Sequence, residues 1–252
     1  MRVIHIAGVS GSGKTTFIRS LIPLLEQKGP TAVAKHLGHH CYSLEKGKDT
    51  TIFMEEGAHV SAGVDIEKTV VVARGLSFGD ILPLLSSIGT EYLLVEGWKT
   101  QPLPKVAIGD LPGAAEVILS NPTAAEVIAS LDLFPRYYSL EGLAQKVQEG
   151  CTGGGVVLTG RYPVPDHAGN PESRREFYLR FSPTLHEISR VAESRPGGVR
   201  TMVHLHQGLL FGGEDGILVA VGAPTPADAL DAFSSCHRHL LSALGTGSPH
   251  QG

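Results

Sequence analysis

The 252-residue chain is poor in cysteine and aromatic residues and carries little net charge. Its three cysteines are widely spaced, so free thiols in a reducing compartment are expected rather than a disulfide framework. The formal net charge of -4 leaves no basic excess that would favour nucleic acid or an anionic membrane surface. No apolar run approaches the roughly 18 residues of a membrane span, and the first residues lack a signal-peptide pattern. We therefore expect a cytoplasmic protein that binds neither nucleic acid nor a membrane.

Lysine is absent from the last part of the sequence. The final lysine is Lys146, and residues 151–252 contain seven histidines and eight arginines instead. A domain built from these residues has no flexible primary amine. It therefore has no neutral amine that could act as a nucleophile and no ammonium that could bind an anion. This excludes lysine-dependent chemistry from that half of the chain.

Glycine, by contrast, is concentrated near the start, in the stretch HIAGVSGSGKTTF at residues 5–17. The spacing of Gly8, Gly13, Lys14 and Thr15 is that of the phosphate-binding loop (P-loop), whose backbone N–H groups surround nucleotide phosphates. The residues expected to hold the nucleotide are Gly8, Gly11, Gly13, Lys14, Thr15 and Thr16. Lys14 would reach the β- and γ-phosphates, and the Thr15 hydroxyl would bind Mg²⁺. An apolar strand at residues 3–7 and a helical pattern from Thr16 onward provide the required context.

Strand and helix patterns alternate through residues 1–148. Strands are predicted at residues 3–7, 31–34, 69–72, 92–95, 106–108 and 117–119. This order predicts an α/β P-loop NTPase domain with a mostly parallel sheet. The glycine-rich segment 149–155 is predicted to be a linker.

A smaller α+β domain is predicted at residues 156–244. Strands are expected at 156–159, 176–181, 199–205 and 217–221, with one helix beginning near Pro183 and another at Thr225-Pro226. Asp228 is placed to complete a capping arrangement for the second helix. Residues 245–252 are expected to form a disordered tail.

Two carboxylates are candidates for the metal side of the nucleotide site. Glu96 ends an apolar strand, as a Mg²⁺-binding acidic residue of an NTPase does, and Asp49 could position Mg²⁺ or water. A histidine-rich stretch from His36 to Cys41 precedes both and could ligate a transition metal, although clustered loop histidines often only face solvent. We predict catalytic roles for Asp49 and Glu96, and metal binding by Thr15, Asp49 and Glu96.

Several segments of the first 148 residues resemble the molybdopterin-guanine dinucleotide biosynthesis adaptor proteins, the B protein of that pathway. These are the P-loop, Lys35-His36-x-Gly-His39, residues 47–50, Gly57-Ala58, Leu94-Val95-Glu96-Gly97-x-Lys99 and Pro104-Lys105-Val106. The resemblance implies GTP binding with weak hydrolysis, ligand contacts from His36, His39 and Lys99, and assistance to the molybdenum cofactor guanylyltransferase. Guanine preference comes from this resemblance alone, because no Asn-Lys-x-Asp motif is present. We expect a homodimer.

Residues 155–244 are similar, more loosely, to the large catalytic subunit of molybdopterin synthase. The similarity lies in residues 157–161 and 178–181, His204-x-His206-x-Gly208, and residues 213–214, 219–224 and 229–236. It implies molybdopterin as a cofactor, the synthase small subunit as a partner, and Arg161 and His204 as ligands of the pterin phosphate. The missing lysines depart from that family's pattern and put its chemistry in doubt.

Three hypotheses follow. The first is a GTP-binding adaptor of molybdenum or tungsten cofactor biosynthesis fused to a degenerate synthase-like domain. The second is a metallochaperone NTPase that uses the histidine-rich stretch. In the third, the second domain is a non-enzymatic scaffold that binds pterin or mediates dimerisation.

Overall fold

A five-stranded parallel sheet lies at the centre of the N-terminal part of the chain. The computed structural model describes residues 1–38, 44–98, 103–111, 113, 116–151, 155–163, 198–206 and 215–244. The strands of this sheet are β1 (Arg2–Ala7), β2 (Thr31–Lys35), β5 (Tyr92–Glu96), β6 (Lys105–Ala107) and β7 (Val117–Ser120). Their order is β2-β5-β1-β6-β7, and every neighbouring pair is parallel. The predicted α/β architecture with a mostly parallel sheet is confirmed for this part of the chain.

Helices cover both faces of the sheet. Helices α1 (Lys14–Glu26) and α4 (Ala124–Ala129) pack on one face, where Ile4 and Ile6 meet Leu21 and Leu25. Helix α3 (Phe78–Ser87) packs on the other face, which carries Val3, Leu93 and Val95. Because side chains alternate along each strand, neighbouring residues of β1 and β5 serve opposite layers of the core.

A separate two-stranded ribbon stands apart from this sheet. It consists of β3 (Val60–Val64) and β4 (Thr69–Ala73), which pair antiparallel, and follows the short helix α2 (Asp49–Glu55). The prediction of a strand at residues 69–72 is correct, but its placement in the parallel sheet is wrong. Its partner, residues 60–64, was not predicted because alanine, serine and glycine interrupt the apolar pattern of a strand.

A second, antiparallel sheet follows in the C-terminal part. Its strands are β8 (Val156–Pro163), β9 (Arg200–Leu205) and β10 (Asp215–Ala223), with β10 in the middle. Helix α6 (Pro226–Leu244) covers one face, and the hydroxyl of Thr225 accepts a hydrogen bond from the backbone N–H of Asp228, as the capping pattern predicted. The predicted strand at 176–181 and the helix near Pro183 lie outside the described residues.

Helix α5 (Leu140–Glu149) covers the other face of the second sheet. Leu143 and Val147 of this helix are buried against Leu218 and Ala220 of β10. From the sequence, residues 140–148 were predicted to belong to the first domain. The division of the chain into two domains at residues 149–155 stays a prediction. None of the helices in the described ranges is both long enough and apolar enough to cross a membrane.

Residues 134–138 run beside the first residues of the chain and lead into α5. The backbone N–H of Val3 donates to the carbonyl of Pro135, and that of Tyr137 donates to the carbonyl of Met1. The Phe134 side chain is buried in the core under α1. This segment therefore belongs to the first core at one end and to the second sheet at the other.

Candidate functional site

The loop between β1 and α1 has the backbone of a glycine-dependent turn. Gly11 and Gly13 have φ angles of 77° and 92°, in the left-handed region that other residues rarely adopt. At Gly8, a Cβ atom would lie 2.4 Å from the carbonyl oxygen of Ile108. The glycine pattern read from the sequence is thus required by the conformation and by the close approach of the loop to β6.

The N-terminus of α1 differs from those of helices α3 to α6; α2 also lacks a side-chain cap, but its first turn contains Asp49. The cap residue of α1, Gly13, offers no side chain, and the first turn of α1 contains no acidic residue. Helices α3, α4, α5 and α6 instead begin after Ser77, Thr123, Ser139 and Thr225, whose hydroxyls accept from backbone N–H groups. The backbone donors and the positive dipole end of α1 therefore remain available to an anion.

The side chains of the P-loop are arranged around this helix end. Lys14 Nζ donates to the carbonyl oxygen of Val9 at 2.7 Å, so the ammonium folds back across the loop. Thr15 and Thr16 are exposed at the start of the helix. The six P-loop residues predicted from the sequence thus lie together, on a loop and helix end that could hold phosphates.

Glu96 lies at the end of β5, beside the strand that leads into the P-loop. It pairs with Ile6 of β1 on one side and with Lys35 of β2 on the other. The Lys35 Nζ atom is 3.3 Å from Glu96 Oε1, and the Glu96 side chain is only 11 % exposed. Sequence reasoning identified Glu96 but missed this ion-pair partner, because Lys35 meets Glu96 only when β2 lies next to β5.

Asp49 is the first residue of α2 and is exposed. It forms no ion pair within the part of the chain that the structure describes. Across those same residues, no group of three or more His, Cys, Asp or Glu side chains is arranged to hold a metal ion. His39, His40 and Cys41 lie outside the described residues, as does Lys99, so the predictions made for them stay predictions.

An aromatic cluster follows Glu96 directly. The rings of His36 and Trp98 are stacked, with centroids 5.0 Å apart and planes at 24°, and Trp98 also tilts onto Phe78 at 4.7 Å. Gly97, between Glu96 and Trp98, has a φ of 97°, and a Cβ there would lie 2.7 Å from the Cβ of His36. His36 is therefore at the carboxyl edge of the sheet, as predicted, and Trp98 is a neighbour that sequence reasoning did not single out.

His5 links β1 to this turn from inside the sheet. Its side chain is fully buried, and Nε2 lies 2.6 Å from the carbonyl oxygen of Gly97. Burial lowers the pKa of His5 to about 4, so the ring is neutral at physiological pH and Nε2 carries the proton of this hydrogen bond. Its Nδ1 atom is buried without a hydrogen-bond partner in the described residues.

Arg161 and His204, predicted to bind a pterin phosphate, lie on β8 and β9 of the second sheet. Arg161 is exposed, whereas the His204 ring packs between Tyr138 and His206. Burial, followed by the neighbouring His206, lowers the pKa of His204 to about 3. A neutral imidazole brings no charge to a phosphate, so this environment favours a structural role for His204 in joining β9 to residues 134–138.

Comparison with known proteins relates the first 130 or so residues to one family. A probable molybdopterin-guanine dinucleotide biosynthesis adapter protein of Bacillus subtilis is 32% identical over 111 residues, which cover 42% of this chain and 64% of the relative. The corresponding adapter protein of Haemophilus influenzae is 30% identical over 110 residues, covering 42% of this chain and 62% of the relative. The matched region thus spans somewhat less than two thirds of either relative.

A crystal structure of Bacillus subtilis MobB is 28% identical and covers 48% of this chain and 77% of that structure, with a TM-score of 0.41. The family model described as molybdopterin guanine dinucleotide synthesis protein B, or MobB, matches residues 3–132. Its match ends before α5 and the second sheet. Through residues 3–132, which make up just over half of its length, the chain belongs to the MobB family.

Proposed function

We propose that this protein is a GTP-binding adapter in the biosynthesis of molybdopterin guanine dinucleotide. The observation that carries the proposal is the start of α1, where a glycine cap leaves the helix N-terminus open directly after the P-loop. Family membership supports the pathway, since the matched model and the bacterial relatives are described by this dinucleotide. The choice of GTP over other nucleotides rests on the pathway and on the resemblance described above.

The P-loop residues suit the phosphates of a nucleotide. The backbone N–H groups of Gly13, Lys14 and Thr15 would donate hydrogen bonds to phosphate oxygens at the positive end of α1. The Lys14 ammonium, now held by the Val9 carbonyl, would move only within the loop to reach a phosphate oxygen. Removing this ammonium is therefore the sharpest single test of nucleotide binding.

The hydroxyl of Thr15 and the carboxylate of Glu96 are the groups proposed to face Mg²⁺. Both belong to elements at the carboxyl edge of the sheet, where ligands of parallel α/β folds bind. A bound Mg²⁺ would neutralise phosphate charge during a slow hydrolysis. Lys35 holds the Glu96 side chain in place through this ion pair, and Asp49 remains a second candidate for the metal-binding role.

Two partners are proposed for the N-terminal part of the chain, which contains the parallel sheet. One is the molybdenum cofactor guanylyltransferase, which an adapter of this pathway would assist. The other is a second copy of this chain.

Val60, Val64 and Val71 lie on one face of the ribbon with 51%, 77% and 55% of their surfaces exposed. An isolated two-stranded ribbon is marginally stable in water, and an identical ribbon related by twofold symmetry would cover this face.

For the C-terminal part of the chain, which contains the antiparallel sheet, we propose a docking role in the same pathway. The absence of lysine after Lys146 disfavours an active molybdopterin synthase, and the exposed Arg161 supports binding of an anionic group such as the pterin phosphate. The synthase small subunit stays a candidate partner. Holding molybdopterin here would raise its effective concentration near the nucleotide-binding unit.

Calorimetric titration of the full-length protein with GTP and with ATP, each in Mg²⁺, tests the central proposal. Saturable binding of GTP in preference to ATP is expected. A pulldown of the guanylyltransferase on the immobilised protein, with and without GTP, tests the adapter role. Absence of GTP binding at millimolar concentration would contradict the proposal.

A further inference from the structure

The turn that follows β5 has an uncommon backbone. Gly97 has a φ of 97° and the next residue, Trp98, has a φ of 42°. Positive φ is unusual for a bulky residue, because its Cβ crowds the backbone, and such residues are found where surrounding contacts impose the conformation. Residues held in this way concentrate at ligand sites, so the contacts that hold Trp98 are informative.

Two hydrogen bonds fix this turn from both sides. The Nε2–H of His5 donates to the carbonyl oxygen of Gly97 at 2.6 Å, and the backbone N–H of His36 donates to the carbonyl oxygen of Glu96 at 2.8 Å. The first bond ties the turn to β1, and the second ties it to the end of β2. The position of Trp98 is therefore set before any ligand arrives.

The two rings of this cluster differ in their access to solvent. Trp98 is half-buried, with Phe78 of α3 beneath it, and belongs to the core on the α3 face of the sheet. His36 lies almost flat on Trp98 but is exposed. One face of the imidazole is thus supported by the indole, while the ring remains accessible from outside.

This cluster is distinct from the P-loop. Helix α1 packs on the opposite face of the sheet from Phe78, and β2 and β5, which carry His36 and Trp98, lie to one side of β1. The Lys35–Glu96 pair is adjacent along both strands. Glu96 is in register with Ile6, whose side chain packs under α1, so this ion pair faces the P-loop side of the sheet and a ring stacked on His36 would lie on the other side.

We propose that His36, supported by Trp98, is a stacking platform for the planar ring of a pterin. Pterins contain a fused 2-amino-4-oxopyrimidine ring, which offers a flat π-face to an imidazole. Guanine contains the same pyrimidine unit, so the two ligands must be told apart by experiment. The inference rests on the proposed function, because the pathway supplies both rings.

Trp98 is the one tryptophan of the sequence, so the intrinsic tryptophan fluorescence of the full-length protein reports on this cluster alone. We expect 6-hydroxymethylpterin to quench this fluorescence saturably, beyond its effect on free N-acetyltryptophanamide. Saturating GTP with Mg²⁺ should leave the pterin titration unchanged. His36→Leu should weaken pterin binding about tenfold, in line with the loss of one ring-stacking contact.

Two variants serve as controls. His36→Phe keeps a flat ring and should retain most of the pterin affinity, while His239→Leu changes an exposed histidine on α6 and should have no effect. Absence of saturable quenching, or equal pterin affinity in His36→Leu, would overturn the inference. Displacement of the pterin by GTP would assign the platform to guanine and would likewise overturn it. If GTP binds and the pterin does not, the proposed function survives; if the pterin alone binds, the platform survives and GTP binding fails.

Discussion

The ammonium of Lys35 and the carboxylate of Glu96 lie 3.3 Å apart across two strands that are distant in the sequence. The Glu96 carboxylate is therefore neither free in solvent nor buried without a counter-charge. Because half of the Lys35 side chain is exposed, it can turn away into water when a divalent cation approaches. The pair can thus keep Glu96 ready for a metal without blocking it.

Glu96→Gln should leave GTP binding largely intact but weaken its dependence on Mg²⁺ and slow hydrolysis. The amide keeps the shape of the side chain and removes the negative charge that would face the metal. The measurement is GTP hydrolysis over a Mg²⁺ titration, with Glu91→Gln, at the exposed start of β5, as the matched control. A wild-type rate and Mg²⁺ midpoint in the Glu96 variant would make Asp49 the better candidate.

Lys14→Ala should lower GTP affinity by about ten- to a hundredfold, since a charge-assisted contact with phosphate contributes roughly 1.5–3 kcal/mol. Lys28→Ala removes an exposed lysine just beyond the other end of α1 and should bind GTP like the wild type. Calorimetry of both variants separates the local contact from a general charge effect. Equal affinity in the two variants would remove the P-loop assignment.

Acid should destabilise the protein between about pH 6.5 and pH 4. The pKa of His5 is lowered to about 4 by burial, so the unfolded chain takes up a proton before the folded one does. The contribution of His5 to the free energy of unfolding is fully present above pH 6.5. It falls by about 3 kcal/mol as the pH drops to 4.

His204, whose pKa is lowered to about 3, should add to the same loss over a wider range. Urea unfolding at several pH values measures this slope, and His204→Phe should reduce it by removing one of the imidazoles whose pKa is lowered. His239→Phe, on the exposed side of α6, should not change it. A pH-independent free energy of unfolding over this range would show that neither histidine stays neutral in the folded protein.

Val71→Asp should convert a dimer to a monomer. It places a charge in the middle of the exposed ribbon face, where like charges of two copies would meet. Light scattering after size exclusion measures the mass. Leu230→Asp, at a leucine of α6 that is 58% exposed, controls for the added charge. A wild-type protein that is monomeric at high concentration would contradict the dimer proposal itself.

The full-length protein should not form molybdopterin from its sulfur-free precursor and a thiocarboxylated small subunit. The physical reason is that residues 151–252 contain no lysine, and arginine cannot replace its primary amine because the guanidinium does not deprotonate. An assay of dithiolene formation, with an authentic synthase large subunit as positive control, checks this expectation. Robust turnover would show that another residue takes the role of lysine and would remove the docking proposal.

The local patterns of the sequence predicted the glycine-dependent turn between β1 and α1 and the five strands of the parallel sheet, although the strand at residues 69–72 was placed in that sheet wrongly. The apolar run before Gly8 and the helical spacing after Thr16 involve residues close in the chain, so their structure follows from local rules. The capping of α6 by Thr225 is local in the same sense.

The contacts that complete the candidate site could not be predicted in this way. The hydrogen bond from His5 to Gly97 and the ion pair between Lys35 and Glu96 depend on β5 lying between β1 and β2. That order is a property of the whole sheet. The burial of His204 likewise depends on Tyr138, 66 positions earlier in the sequence, which no periodicity in the sequence reveals.

The course of residues 134–138 has a practical consequence for dividing this protein. A fragment that ends at residue 132, where the family match ends, would lose the Phe134 side chain from its core and the backbone bonds that Met1 and Val3 make with Tyr137 and Pro135. A fragment that starts at residue 150 would lack α5 and leave Leu218 and Ala220 uncovered. Any pair of fragments meant to fold independently would therefore have to overlap, with residues 134–149 present in both.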